Sequence, residues 1–247
     1  MSRELTPSIR QPQSSNRFKT FLIIMEGEKQ EPNYFNTLKK FYTRQHRESR
    51  ITIKIVKRKE EQKNNSSPSY LIQLAKEFSN QFDLQKYDEL WMVFDADSWG
   101  IQAFEELNHW KNEENYHYLA YSNPCFELWL ILHLTEYQTI QKRVETAKIR
   151  IRSRICKQIH GELKQDNKLS GEYIEYLGDI QQAIERAKAL DITPEKEFPN
   201  NICTRVYQLV EKLTTLPKKI YLLLTLIFVT TKKRLKVNLL FIIYYLF

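Results

Sequence analysis

Cysteine is scarce in this sequence: Cys125, Cys156 and Cys203 are odd in number and widely spaced. Neither a disulfide framework nor a zinc-ligand spacing can be built from them, which points to a reducing, cytoplasmic setting. The N-terminus has no apolar core. Residues 1–20 are rich in Ser, Gln, Pro and Arg, unlike an export signal, and residues 1–17 are expected to form a disordered lead. The apolar runs at 220–229 and 237–247 fall well short of the ~20 residues that a spanning helix needs, so no membrane span is expected. Acids are absent from residues 214–247, which hold Lys218, Lys219, Lys232, Lys233, Arg234 and Lys236. Setting those six aside leaves 32 basic against 30 acidic residues, so only +2 of the formal +8 belongs to residues 1–213. The body of the chain is nearly neutral, and a polyanionic partner must be met by local patches. The segment 214–247 also lacks the periodicity of the helices before it, and reads as a strand pair, a membrane-surface anchor or, in preference, an extension from an altered reading frame.

Two stretches share one construction. The apolar runs 21–25 and 90–94 stop abruptly, the first at Glu26-Gly27-Glu28 and the second at Asp95-Ala96-Asp97. Side chains two apart on a strand share a face, so Asp95 and Asp97 aim at one point. If the two runs are neighbouring parallel strands, Glu26 joins them at the carboxyl edge of the sheet, where open α/β folds place their ligands.

The remaining pattern supports that neighbourhood. Phe35, Leu38, Phe41 and Tyr42 predict a helix over 31–46 with Pro32 in its first turn, and 51–56 alternates as a strand. A polar loop at 57–69 precedes a helical stripe of Tyr70, Leu71, Leu74, Ala75 and Phe78. After the Asp95 strand come a helix at 99–110, a strand at 116–121 and an apolar helix at 125–134, with Asn123 as its N-cap and Pro124 as its first residue. This βαβαβαβα order predicts an α/β domain over 18–140, a Rossmann-like parallel sheet flanked by helices. Right-handed crossovers in the strand order 2-1-3-4 put the first strand beside the third. Residues 141–213 read as a helical C-terminal part, with helices at 141–160, 173–190 and 203–213. In the first of these Val144, Ile151, Ile155 and Ile159 share a face, and the segment carries a net +6.

Three carboxylates gathered at one sheet edge repel one another unless a cation sits among them. Glu26, Asp95 and Asp97 are hard oxygen donors of the kind that hold Mg2+ (or Mn2+) with several waters. Glu28 or Glu31 would serve a second ion, or Glu26 would act as general acid/base, while Gly27 lets the backbone turn and a phosphate approach. The plainer alternative is that these are solvated acids at strand ends. Glu127 reads either as a further ligand or as an acid favoured in the first turn of a helix. His133 reads as a core histidine, and Asn123 chiefly as a cap. Arg143, Arg150 and Arg154 recur on one helical face, either tracking a phosphate backbone or facing water.

Three blocks carry a resemblance: FLIIMEGEKQEPNYF at 21–35, WMVFDADSWG at 91–100 and YSNPCFELWLILHL at 121–134. In that order they resemble the RloB-like family of prokaryotic defence-associated proteins, over roughly residues 18–213. The first two blocks also resemble the Toprim catalytic signature of topoisomerases, primases and OLD-type nucleases, which makes the expected fold Toprim-like. That signature implies Glu26 as the general acid/base or metal-linked acid and Asp95 and Asp97 as Mg2+ ligands; the RloB-like pattern adds Asn123, Glu127 and His133. The likeness further implies a companion ATPase and a role in restricting phage or foreign DNA. The expectation is therefore a Mg2+-dependent nuclease acting on DNA or RNA, transfer RNA included, under control of that ATPase. The alternative is a non-catalytic metal- or nucleotide-binding subunit of the same ATPase. A phosphatase of the HAD-like kind, with Asp95 as nucleophile, fits poorly: its D-x-D belongs on the first strand and wants a later acidic pair.

Overall fold

In the computed structural model of the protein, the described residues are 18–45, 51–56, 67–96, 99–198 and 201–215. The expected N-terminal lead, most of the 57–69 loop, Asp97 and the tail beyond residue 215 lie outside them. The chain divides into two compact units, 1–211 and 212–247, and the whole sheet belongs to the first.

The sheet forms where the apolar runs are. Strands β1 (Lys19–Met25), β2 (Ile51–Ile55), β3 (Glu89–Asp95) and β4 (His117–Asn123) pair in parallel in the order β2-β1-β3-β4. β1 thus lies beside β3, with Met25 in register with Val93, and β3 runs two residues further to Asp95 at the same edge. Leu22, Ile24, Leu90, Met92, Phe94, Leu119 and Tyr121 pack in one cluster with Tyr70, Leu71, Leu74 and Ala75 of α2 (Pro68–Phe82) and with Leu107 and Trp110 of α3 (Ile101–Glu113). Their strand neighbours Phe21, Ile23, Met25, Trp91 and Val93 are equally buried and point to the other face, as the pleat requires. Each such side chain contributes about 1.5–3 kcal/mol when fully buried. Outside that cluster lie the buried Tyr34, Phe35 and Leu38 of α1 (Gln30–Gln45) and the apolar residues of α4 (Glu127–Leu134), with the Tyr34 and Trp129 rings edge-on at 6.2 Å.

At the amino edge of the sheet the acids are structural. Asp88 accepts the backbone N–H groups of Thr20 (2.7 Å) and Gln85 (2.8 Å), while Glu89 accepts from Lys19 (2.7 Å) and from the Trp91 indole (2.8 Å).

The C-terminal part departs from the sequence reading in three places, and the entry to α4 in a fourth. It is not purely helical, because Cys203–Thr204 forms β5, which pairs antiparallel with β4 and extends the sheet. Ser122 and Thr204 hydroxyls meet there at 2.7 Å. The predicted 141–160 helix is two: α5 (Tyr137–Glu145) and α6 (Arg152–Asp166), joined by a short 3-10 turn at Ile149–Ile151. The break follows from an extended Lys148 (ψ 139°), with the Arg152 guanidinium donating to the carbonyls of Glu145 and Ala147 at the end of α5. Arg143, Arg150 and Arg154 consequently lie on three different elements and not on one helix; Arg143 is held by Glu162 at 2.6 and 3.1 Å. The 173–190 stretch is a 3-10 segment, Tyr173–Asp179, followed by α7 (Ile180–Leu190). Finally, Asn123 does not cap α4. It ends β4, its amide donates to the carbonyl of Asn201 (2.9 Å), and α4 starts at Glu127 after a cis Asn123–Pro124 bond.

A buried ion pair ties the C-terminal segment to the sheet. Arg205 donates to Asp191 at 3.0 and 3.2 Å and to the carbonyls of Thr193 and Glu197, and Tyr207 donates to the same carboxylate at 3.2 Å. The helix α8 (Val206–Thr214) follows directly. Among the described residues no helix is long and apolar enough to cross a membrane.

Candidate functional site

A cleft of about 350 Å³ opens at the carboxyl edge of the sheet, where β1 and β3 end side by side. From the turn after β1 and the start of α1 it takes Glu26, Gly27, Glu28, Lys29, Gln30 and Glu31. Asp95 comes from the end of β3, Phe126 and Glu127 from the entry to α4, and Lys157 from α6. Five carboxylates thus face two ammonium groups, a formal excess of three negative charges. An anionic phosphate cannot enter such a space without added positive charge.

The acids are held by backbone amides. The Glu26 carboxylate accepts the N–H of Asp95 through Oε2 at 2.9 Å, while the Glu26 N–H donates to the Val93 carbonyl at 2.8 Å. Asp95 in turn accepts the N–H of Phe126 through Oδ1 at 2.8 Å, which links β3 to the entry of α4. Glu26 and Asp95, 69 positions apart, therefore meet. Each bond occupies one oxygen of a group that can accept about four hydrogen bonds.

Glu31 and Glu127 are buried although both are acids. The Glu31 carboxylate lies over the Gly27 backbone, and a Cβ at position 27 would collide with it. A side chain at position 27 would have to move that carboxylate aside, and glycine leaves it in place. Glu127, 4% exposed, sits in the first turn of α4, where the helix dipole favours an anion, and accepts from Gln30 Nε2 at 2.6 Å. The other amide atom, Gln30 Oε1, is enclosed and has no hydrogen-bond partner among the described residues. Charge from these acids is felt nearby. The Tyr173 phenol is pushed up to about 12, first by burial and then by Glu31 and Glu127. The Cys125 thiol is pushed up by its hydrogen bond with Cys156, by burial, and by Glu127 and Asp95.

Of the residues expected from sequence, Glu26, Gly27, Glu28, Glu31, Asp95 and Glu127 line this one cleft, while Asp97 is outside the described residues. His133 does not line it. It is 3% exposed, its Nδ1 lies 2.7 Å from the Tyr176 carbonyl and its Nε2 lies 3.3 Å from the Tyr34 hydroxyl, which makes it a satisfied core residue. Three polar side chains of the cleft went unseen in the sequence, as did Phe126, whose backbone amide holds Asp95. Gln30 and Lys29 fall inside the first acidic block, where a strand-to-helix turn at the carboxyl edge was the available signal. Lys157 stood only as one of seven basic residues in a run, and spacing could not single it out.

The donor set fits a hard divalent cation in its chemistry: carboxylate oxygens and an orphaned amide oxygen, with no thiol or imidazole in the cleft. Among the described residues no three His, Cys, Asp or Glu side chains converge closely enough to form a metal cluster. Glu26 and Asp95 would hold such an ion with waters and substrate oxygens completing its shell.

A family model described as RloB-like protein matches residues 21–213. The chain belongs to the RloB-like family. Every described residue of the cleft falls within that RloB-like span, and so does β5. No curated protein and no solved structure matches the chain.

Proposed function

We propose that this RloB-like protein is a Mg2+- or Mn2+-dependent nuclease subunit of a prokaryotic anti-phage system, hydrolysing phosphodiester bonds in DNA or RNA under control of a companion ATPase. The observation that carries the reading is the meeting of Glu26 and Asp95 at the carboxyl edge of adjacent parallel strands, inside one acid-rich cleft. The Toprim-like signature that the sequence resembles asks for such a meeting, and Asp97, outside the described residues, would be the second acid of its D-x-D. A bound divalent ion would supply charge neutralisation at the phosphate and a water of lowered pKa. Glu26 and Asp95 would hold and orient that ion; each is fixed by a backbone amide, so their placement would cost no rearrangement at the moment of reaction. Glu26 is also placed to take or return a proton. Lys29 and Lys157 offset part of the acidity where a phosphate would lie.

One observation favours a second reading, a non-catalytic subunit that binds metal or nucleotide to hold or signal to the ATPase. The bonds from the Asp95 amide to Glu26 and from the Phe126 amide to Asp95 also brace the sheet edge by themselves. Purified full-length protein, with and without the neighbouring ATPase, incubated with Mn2+ and mixed DNA and RNA, separates the two. Cleavage by the wild type that disappears in Asp95→Ala supports the nuclease. Cleavage that survives Asp95→Ala, or none with the ATPase present, refutes it.

A further inference from the structure

We infer that Lys148, Arg150, Arg154 and Lys157 form a cationic approach to the cleft, which binds the phosphate backbone of a nucleic-acid strand beside the acidic centre. The inference rests on the reading of the protein as a nuclease subunit and names the surface by which that substrate is held. Between Glu145 and Glu162 the chain has no acid and five basic side chains, in a body, 1–213, whose net charge is only +2. Two cations of this neighbourhood serve the fold. Arg143 pairs with Glu162 at 2.6 Å, and Arg152 donates to the carbonyls of Glu145 and Ala147. Lys148, Arg150 and Arg154 are exposed, and among the described residues no carboxylate answers their side chains. Charge left over in this way is open to a polyanion.

The fold sets this stretch beside the cleft. Lys157 lines it, and Arg154, three residues earlier, is its neighbour on the exposed side of α6. The buried side of the same turns is anchored at the entry to α4: the Cys125 thiol donates to the Ser153 carbonyl at 3.8 Å, and the same sulfur is hydrogen-bonded to Cys156. Cys125 immediately precedes Phe126, whose amide holds Asp95. Lys148 opens the 3-10 turn that carries Arg150 and runs straight into α6. At helical rises the stretch from 148 to 157 is about 15 Å long, the axial length of about four nucleotides of one strand. Lys148, Arg150 and Arg154 also supply three positive charges, which equals the excess of three negative charges in the cleft. A phosphate strand repelled by the cleft alone is thus drawn to its flank.

The test is fluorescence anisotropy with a labelled single-stranded DNA, the RNA of the same sequence and the DNA duplex, titrated at several KCl concentrations in chelator so that no strand is cut. Full-length wild type is compared with Arg150→Gln/Arg154→Gln and with Lys86→Gln, an exposed cation before the amino end of β3, at the far edge of the sheet. Circular dichroism melts confirm that each form folds. Each phosphate contact contributes about −0.7 (single strand) or about −0.9 (duplex) to the slope of log affinity on log salt. The double variant is expected to bind about tenfold or more weakly at about 0.1 M salt and to flatten that slope by about 1.4 or about 1.8, while Lys86→Gln leaves both unchanged. A double variant with wild-type affinity and slope overturns the inference, as does a wild type that binds none of the three probes. In either case Mn2+-dependent cleavage abolished by Asp95→Ala would leave the nuclease reading standing. Binding lost in the double variant, with no cleavage by any form, supports the surface and contradicts the nuclease. Unchanged nucleic-acid binding with lost co-elution with the ATPase assigns the patch to an acidic protein partner and overturns the inference. A proportionate weakening in Lys86→Gln reduces the effect to net charge and overturns it as well.

Discussion

Acid should destabilise this fold through two buried imidazoles that meet at Tyr176. His133 donates from Nδ1 to the Tyr176 carbonyl at 2.7 Å and so presents an unprotonated Nε2 to the Tyr34 hydroxyl. His160 Nε2 lies 2.8 Å from the Tyr176 hydroxyl. Burial pushes His133 down from 6.5 to about 3, with the Arg186 charge adding to it, and pushes His160 down to about 4, helped by Lys164. In the unfolded chain both titrate near 6.5, so below that pH the unfolded state binds two protons that the native state refuses. Their contribution is fully present above 6.5 and is lost as pH falls toward the folded values. At about 1.4 kcal/mol per proton per pH unit, the drop from neutrality to about pH 5 is roughly 4 kcal/mol, a large share of a typical 5–15 kcal/mol. His117, also lowered by burial, acts in the same direction. Urea unfolding followed by tryptophan fluorescence at about pH 7.5 and about pH 5 measures the loss, since Trp91, Trp110 and Trp129 are all buried. His160→Gln should remove about half of the pH dependence, and adding His133→Gln most of the rest. A wild type equally stable at both pH values, or a double variant that keeps the full slope, refutes the argument.

Arg205→Leu leaves Asp191 buried without its cation and with the Tyr207 hydroxyl as its side-chain donor, so it should cost about 3–5 kcal/mol in the same unfolding assay; a loss under about 1 kcal/mol contradicts the assignment. Gly27→Ala forces the Glu31 carboxylate aside, and because the obstacle is the end of a flexible side chain, Tm should hold while Mn2+ binding weakens about tenfold or more, as read by calorimetry. Unchanged Mn2+ affinity would place Glu31 outside the cation chemistry. The family match ends at Leu213, and a chain stopped after Leu216 is expected to keep the Tm of the full chain; collapse of the fold would show that the basic, acid-free tail belongs to it.

The parallel sheet was legible because its strands are continuous apolar runs, and the adjacency of β1 and β3 because right-handed crossovers leave few alternatives. β5 was not legible: a two-residue strand has no period, and the contacts that accompany its pairing with β4, Ser122 with Thr204 and the Arg205 N–H with the Tyr121 carbonyl, are long-range. The run from Val144 to Ile159 kept helical spacing across a real break, since an apolar stripe is indifferent to one extended residue at Lys148. At the cleft, strand-end acids announced themselves, and Glu26 and Asp95 do meet. What fixes them was invisible, because the amides of Asp95 and Phe126 are backbone groups of a kind that nearly every residue carries. Gln30 was equally hidden. A glutamine at a helix start has no distinguishing pattern until its neighbour Glu127 is placed beside it from 97 positions away.

The central claim, that Glu26 and Asp95 share a divalent ion, is tested most directly by crystals of the full chain soaked in Mn2+ and measured at an anomalous wavelength. The account predicts an anomalous peak within coordination distance of both carboxylates. A well-ordered cleft with no peak between them, or Mn2+ bound only at sites elsewhere on the surface, would contradict it.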